Sequence, residues 1–244
     1  MKFIGIDLGW YSQPSGVSCL QWQDETLCLL RLDRQDSLED VLRWCDEWIS
    51  PTEPALIAVD APTLIPNETG MRLPDQLTHK YFGRYHAGCY PANLKRPFAQ
   101  RTVNFGLSLE ERGFAHAPTI IPQQLGRYQI EVYPHAGMVK LFHLDRILKY
   151  KKGKVAARKT ELNKLQQYIQ QVLPQLTPPL RFEANQVVIT QSLDSLTGVR
   201  LKGIEDQLDS LICAYIGAYW WYWGEQYNQV LGNYETGYII VPSG

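Results

Sequence analysis

Three apolar runs near the start of the chain, at residues 2–9, 15–22 and 26–32, constrain it more than any other feature. The links between them carry Pro14, Ser15 and Gly16, then the polar turn Gln23-Asp24-Glu25. Such links are too short for a crossover, so the spacing predicts a three-stranded antiparallel meander. The stretch DSLEDVLRWCDEWIS comes next. Leu38, Val41, Leu42, Cys45, Trp48 and Ile49 recur at helical spacing, Ser37 stands at the N-cap position with Asp40 in the first turn, and Pro51 lies beyond the end. ALIAVDAP then shows no alternation, as expected of a strand buried on both faces, and Pro62 cannot continue a ladder. Three antiparallel strands, a helix and a buried, parallel strand point to an α/β fold with a mixed sheet.

Beyond this unit the pattern is less regular. Residues 61–127 are rich in Pro, Gly, Arg and aromatic residues and read as a long insertion with short helices near 74–84 and 104–113; insertions of this length are usually functional segments or lids. YQIEVYPHA at 128–136 reads as a strand. Residues 156–173 form a strong helical pattern stopped by Pro174, 174–190 read as a loop with a strand at 186–190, and IEDQLDSLICAYIGAYWWYW reads as a second strong helix. The tail TGYIIVP suits a short edge strand. With no repeat, no low-complexity tract and no clean linker, residues 1–244 are expected to form a single domain.

Composition excludes several classes. Apolar residues make up 45% and charged residues 20%, so a substantial core can form. The net charge is −1, so nucleic-acid binding would need a local basic patch rather than a basic surface. The five cysteines are odd in number and form no C-x-x-C pair, which argues against a disulfide framework or a zinc site and favours a reducing, cytoplasmic compartment. Asp7 interrupts the first apolar run too early for a signal peptide, and LICAYIGAYWWYW is too short and too aromatic for a membrane span. No membrane association is expected.

The chemistry-bearing residues are the acids. Asp7 lies inside the first strand, where Asp is rare and a buried carboxylate is costly unless paired or bound to a metal. Asp60 ends the buried strand, Glu131 lies in the strand at 128–136, and Asp206 and Asp209 share one face of the last helix. Converging acids repel one another, and divalent cations relieve the repulsion; oxygen-only ligands suit Mg²⁺ or Mn²⁺. Taken singly, Asp206 suits a helix start, Asp60 a turn and Glu131 a salt bridge to an arginine; Asp7 is the hardest to explain without a ligand. His135, four positions after Glu131, is a further candidate for proton transfer.

The order of elements, GIDLG and EDQLDSLICAY resemble the ribonuclease H-like fold and, within it, Holliday-junction resolvases. The chain as a whole is similar to domain-of-unknown-function family 429, described as predicted ribonuclease H-like nucleases. The matching pieces are GIDLGW, IAVDAP, Gly113-Phe114, EVYPHAGMVKLF, LKYKKGK and EDQLDSLICA. The resemblance implies a mixed five-stranded sheet flanked by helices, with the insertion at about 61–127 after the fourth strand. It further implies two-metal hydrolysis of nucleic-acid phosphodiesters, with Asp7, Asp60, Asp206 and Asp209 as Mg²⁺ or Mn²⁺ ligands, Glu131 as a further catalytic acid, and a homodimer. Many resolvase-like enzymes carry Glu where this chain has Asp60.

Lys149, Lys151, Lys152, Lys154, Arg158 and Lys159 cluster in KYKKGKVAARK and are candidates for gripping phosphates. Arg84, Arg96 and Arg101 stand among Tyr81, Tyr85, Tyr90 and Phe98, a pattern that suits either ordinary packing or single-strand stacking. Two other functions share the sequence signals. GIDLG also resembles the first phosphate-binding turn of actin-like ATPases and sugar kinases, although no second such strand is present, and the fold could serve a non-enzymatic nucleic-acid or protein binding module.

Overall fold

A computed structural model of the protein describes residues 1–11, 13–183 and 186–243. Strands β1 (Lys2–Asp7), β2 (Ser15–Gln23) and β3 (Thr26–Gln35) form the expected antiparallel meander. Helix α1 (Leu38–Trp48) starts where the sequence places it: the Ser37 hydroxyl accepts from the Asp40 amide at 3.1 Å. Its Val41, Trp44 and Cys45 bury against Ile4, Ile6, Val17 and Cys19 on one face of the sheet. Strand β4 (Ala55–Val59) pairs parallel with β1, and all five of its residues are buried.

The insertion supplies α2 (Leu73–Phe82), α3 (Ala99–Glu111) and the two-residue strand β5 (Ala115–His116). It is not simply a lid, because Phe105 and Leu109 of α3 complete the core beneath α1. Strand β6 (Arg127–Glu131) pairs parallel with β4. It stops earlier than the sequence pattern suggests, because Pro134 opens helix α4 (Pro134–Leu141), a position where proline's missing N–H costs nothing. Helix α5 (Val155–Gln171), the two-residue strand β7 (Leu180–Arg181) and the short helix α6 (Val187–Thr190) follow. The strand expected at 186–190 is therefore helical. Gln166 and Gln170 of α5 donate to the carbonyls of Val188 and Ile189, partners that override the β-branched run. Part of the loop expected over 174–190, at 184–185, lies outside the described residues.

Among the described residues the main sheet has seven strands in the order β5-β6-β4-β1-β2-β3-β7 rather than five; the two additions are the short edge strands β5 and β7, too brief to leave a period-two pattern. The C-terminal tail does not join this sheet as an edge strand. It forms β9 (Gly237–Pro242), paired with β8 (Asn228–Asn233) in a separate hairpin that touches the main sheet through a Val132–Ile240 bridge.

Helix α7 (Gly198–Trp223) crosses the face opposite α1, with Leu208, Leu211, Ile212 and Tyr215 fully buried. Its approach depends on two glycines. A Cβ on Gly5 would lie 1.9 Å from the Ser210 carbonyl, and one on Gly16 would lie 1.9 Å from that of Asp206. The missing side chains let the helix backbone rest on β1 and β2, and the Ser18 hydroxyl donates to the Ser210 carbonyl at 2.8 Å. This contact carries Asp206 and Asp209 to the end of the sheet where Asp7 lies. Among the described residues, no helix is long and apolar enough to cross a membrane.

On the opposite edge, His116 is enclosed by Tyr238 (hydroxyl 3.0 Å from Nδ1), Glu110 (3.4 Å from Nε2) and the Tyr234 ring. Only 2% of its side chain is exposed, and burial pushes its pKa down to about 4. Between its ordinary value near 6.5 and about 4, the unfolded chain binds a proton that the folded chain refuses. This contribution to stability is intact above about pH 6.5 and is lost as pH falls to about 4, by ~2–3 kcal/mol. In urea melts at neutral and acidic pH, His116→Gln is expected to reduce the acid loss of stability by about that amount; an unchanged slope would remove His116 as its source.

Candidate functional site at the carboxyl ends of the central strands

Because β1, β4 and β6 run parallel, their carboxyl ends share one sheet edge. Asp7 ends β1, Asp60 follows β4 and Glu131 ends β6. The Asp60 amide donates to the Ile6 carbonyl at 2.8 Å, which locks the first two acids side by side. A cavity of about 890 Å³ opens at this edge, lined by Asp7, Asp60, Asp206, Trp10, Tyr90 and several lysines. Open α/β sheets commonly bind ligands at such a position.

The four aspartates converge but are not equivalent. Asp209 is fully buried. Its Oδ1 accepts from the Tyr150 hydroxyl at 2.5 Å, and its Oδ2 lies 2.7 Å from the Lys151 ammonium. Asp206 accepts from Arg34 Nε at 3.1 Å and pairs with Lys202 one turn earlier in α7. Asp7 has only the distant Lys151 ammonium, at 3.9 Å, and among the described residues neither the Asp7 nor the Asp60 carboxyl accepts a hydrogen bond.

Charge follows from these contacts. Burial pushes Asp7 well above the usual carboxylate range; Lys151 opposes the shift, while Asp209 and Asp60 add to it. Burial likewise raises Asp60 to about 7, against the pull of Lys151. Burial would also raise Asp209, but Lys151 and Tyr150 outweigh it and hold the group ionised. Lys151 stays protonated because Asp209 and Asp7 overcome the cost of its burial. The result is three acids, Asp7, Asp60 and Asp209, around one ammonium, an imbalance that a proton or a further cation would relieve.

This donor set bears directly on a metal. Asp7 and Asp60 offer hard oxygen ligands that accept no hydrogen bond among the described residues, which fits Mg²⁺ or Mn²⁺. The acids of α7 do not complete a cage as they stand: among the described residues, no three His, Cys, Asp or Glu side chains are grouped to hold one ion. The ammonium of Lys151 stands where such an ion would neutralise Asp7 and Asp209.

Glu131 borders a small second cavity together with Asp60 but has a cation of its own. Arg72 grips it with two bonds of 2.7 Å and also binds Asp75 at 2.8 Å, all three residues being nearly or fully buried. The arginine expected only as an alternative is thus its partner. His135 faces the cavity and lies over the Tyr150 ring at 5.5 Å. Its Nδ1 has no hydrogen-bond partner among the described residues, and burial pushes its pKa down to about 4, so it is neutral at physiological pH.

The basic cluster disperses. Lys151 enters the acid group, Arg158 pairs with Glu205 and donates to the Tyr150 carbonyl, and Lys159 donates to the Asp194 carbonyl. Lys149 and Lys152 line the cavity, whereas Lys154 starts α5 on the surface. Sequence reading missed Tyr150, Arg34, Lys202, Arg72 and Asp75 as partners of the acids. Lys202 and Asp206 are four apart, and Arg72 and Asp75 three apart, so these pairs had a local signal. Arg34 reaches Asp206 from a distant strand and had none.

Residues 5–236 match the model of a family described as "Protein of unknown function (DUF429)". No curated protein and no solved structure matches the chain.

Proposed function

Taking as premise that this chain belongs to the DUF429 family, we propose that it is a Mg²⁺- or Mn²⁺-dependent nuclease on a ribonuclease H-like fold. The fold reading is supported by the strand order β6-β4-β1-β2-β3, with β2 alone antiparallel to both of its neighbours, and by an acidic helix laid across it. The observation that carries the function is the pair Asp7 and Asp60. They are side by side, largely buried, facing the cavity, and without hydrogen-bonded partners among the described residues. Such a pair costs stability and has no structural return, which weighs against a pure binding module.

Asp7 and Asp60 would hold the ion, with Asp209 behind them, and the ion would activate a water and neutralise charge on the phosphate. The protein's own groups do the positioning. Lys149 and Lys152 border the cavity and attract a phosphate backbone. Tyr150 fixes the Asp209 carboxylate, and Arg34 with Lys202 fixes that of Asp206.

The test is cleavage of labelled single-stranded, duplex, hybrid and branched nucleic acids in Mg²⁺, Mn²⁺ or EDTA. Wild type is expected to cut in metal only, and Asp7→Asn and Asp60→Asn to lose the activity. Absence of cutting on every substrate, or equal cutting by the folded variants, would overturn the reading.

A further inference from the structure

One wall of the cavity is aromatic and, among the described residues, donates no hydrogen bond to the carboxyl groups of the acids. Trp10 and Tyr11 come from the segment after β1, and Tyr90 and Phe98 from the insertion. Phe98 is buried beneath the other three, with ring centroids 4.5 Å from Trp10, 6.4 Å from Tyr11 and 6.4 Å from Tyr90. Tyr11 and Tyr90 stay 56% and 58% exposed, although both line the cavity. Rings placed this way add little to the core.

The wall is also held in place. Arg101 donates to the Gly9 carbonyl at 3.0 Å, and Trp10 Nε1 donates to the carbonyl of Asp60 at 3.4 Å. The Arg96 guanidinium covers one side of the Tyr90 ring, 5.2 Å from its centre. The aromatic faces are thereby tied to the backbone that carries Asp60. Elsewhere the cavity is bordered by Lys149 and Lys152.

The geometry points to a subsite for one unstacked nucleobase of a single-stranded nucleic acid, seated on Tyr11 and Tyr90 with its phosphates toward the lysines. A planar π-face and a negative charge must be parts of the same ligand to use both walls. A sugar would leave the lysines idle, and a free phosphate would leave the rings idle. In a duplex each base face is covered by its neighbour, so an aromatic wall serves only a base that is unpaired or flipped out. This assignment rests on the nuclease reading for its substrate class, but it concerns binding and can be tested without cleavage.

The test is fluorescence anisotropy in EDTA with a labelled oligothymidylate, an abasic strand of the same length and charge, and a blunt duplex. Wild type is expected to favour the single strand over the duplex and to bind the abasic strand about 5- to 100-fold more weakly, the range for loss of one stacked base. Tyr11→Leu and Tyr90→Leu are each expected to lose affinity for oligothymidylate within that range and little for the abasic strand, while Tyr90→Phe keeps the wild-type affinity. Both positions are exposed, so the fold tolerates the changes. Equal affinity for abasic and thymidine strands, equal affinity for duplex and single strand, unchanged leucine variants, or no binding at all would overturn the subsite. Stacking without metal-dependent cutting would overturn the nuclease and leave the subsite standing. Cutting without stacking would do the reverse.

Discussion

Lys151→Met is expected to lower stability by ~2–3 kcal/mol at neutral pH in EDTA, and Mn²⁺ to restore most of the loss. Removing one partner of a buried ion pair leaves an uncompensated charge and typically costs ~3–5 kcal/mol. The lower figure applies here because 32% of the Lys151 side chain is exposed. In a chain of this size the change corresponds to a fall in Tm on the order of 5–10 °C. The variant keeps Asp7, Asp60 and Asp209 together with no ammonium among them. A divalent ion then has three acids to neutralise and no competitor, and at a hundred times its dissociation constant it would return about 2.7 kcal/mol. Melts of both proteins with EDTA and with Mn²⁺ check this. The expected result is a larger metal-induced rise in the variant than in wild type. Equal rises would show that the ion does not compete with the ammonium, and no rise in either protein would count against a cation at these acids.

The second large effect is expected away from the aspartates. Arg72→Met should cost ~3–5 kcal/mol, because Asp75 and Glu131 would both be left in the interior without their guanidinium. The same change removes the bond from Arg72 to the Leu64 carbonyl, which anchors the segment leaving Asp60. Arg72→Lys should recover little, since an ammonium cannot bind Glu131 through two parallel donors while holding Asp75. The pH sign is distinctive. Burial already raises Glu131 to about 7 against the pull of Arg72; in the variant that opposition is gone, so the folded state holds a proton on Glu131 more firmly than wild type does. The deficit relative to wild type should therefore shrink as pH falls toward about 5. Urea melts at several pH values test this, and a deficit that is constant or grows with acid would show that Arg72 acts through packing rather than charge. Pairing Arg72→Met with Glu131→Gln should recover part of the loss at neutral pH.

Much of the frame follows from local rules that the sequence states directly. The meander is written in link lengths, α1 in its Ser37 cap and apolar spacing, and β4 in an unbroken apolar run. Asp7 and Asp60 could be singled out because a carboxylate inside or ending such a strand breaks the rule that buried strands are apolar. The misreadings have equally local causes. Strands β5 and β7 are too short to show a period, the β-branched run of α6 is outvoted by glutamines from α5, and Pro134 opens a helix where the apolar pattern continues past the strand.

Apart from the local pairs Lys202–Asp206 and Arg72–Asp75, which charge meets which was decided only in three dimensions. A list of acids and bases carries no distances, so Asp206 and Asp209, identical in type and three residues apart, received different partners from β3 and from the segment before α5. Lys151 looked like one of six surface cations, yet chain reversal after α4 placed it among the acids. Glu131 looked like one more free acid of the group, and Arg72 neutralised it. The residue types fixed how many carboxylates gather at this sheet edge, whereas packing, through Gly5 and Gly16 beneath α7, determined which of them face the cavity without accepting a hydrogen bond from the described residues.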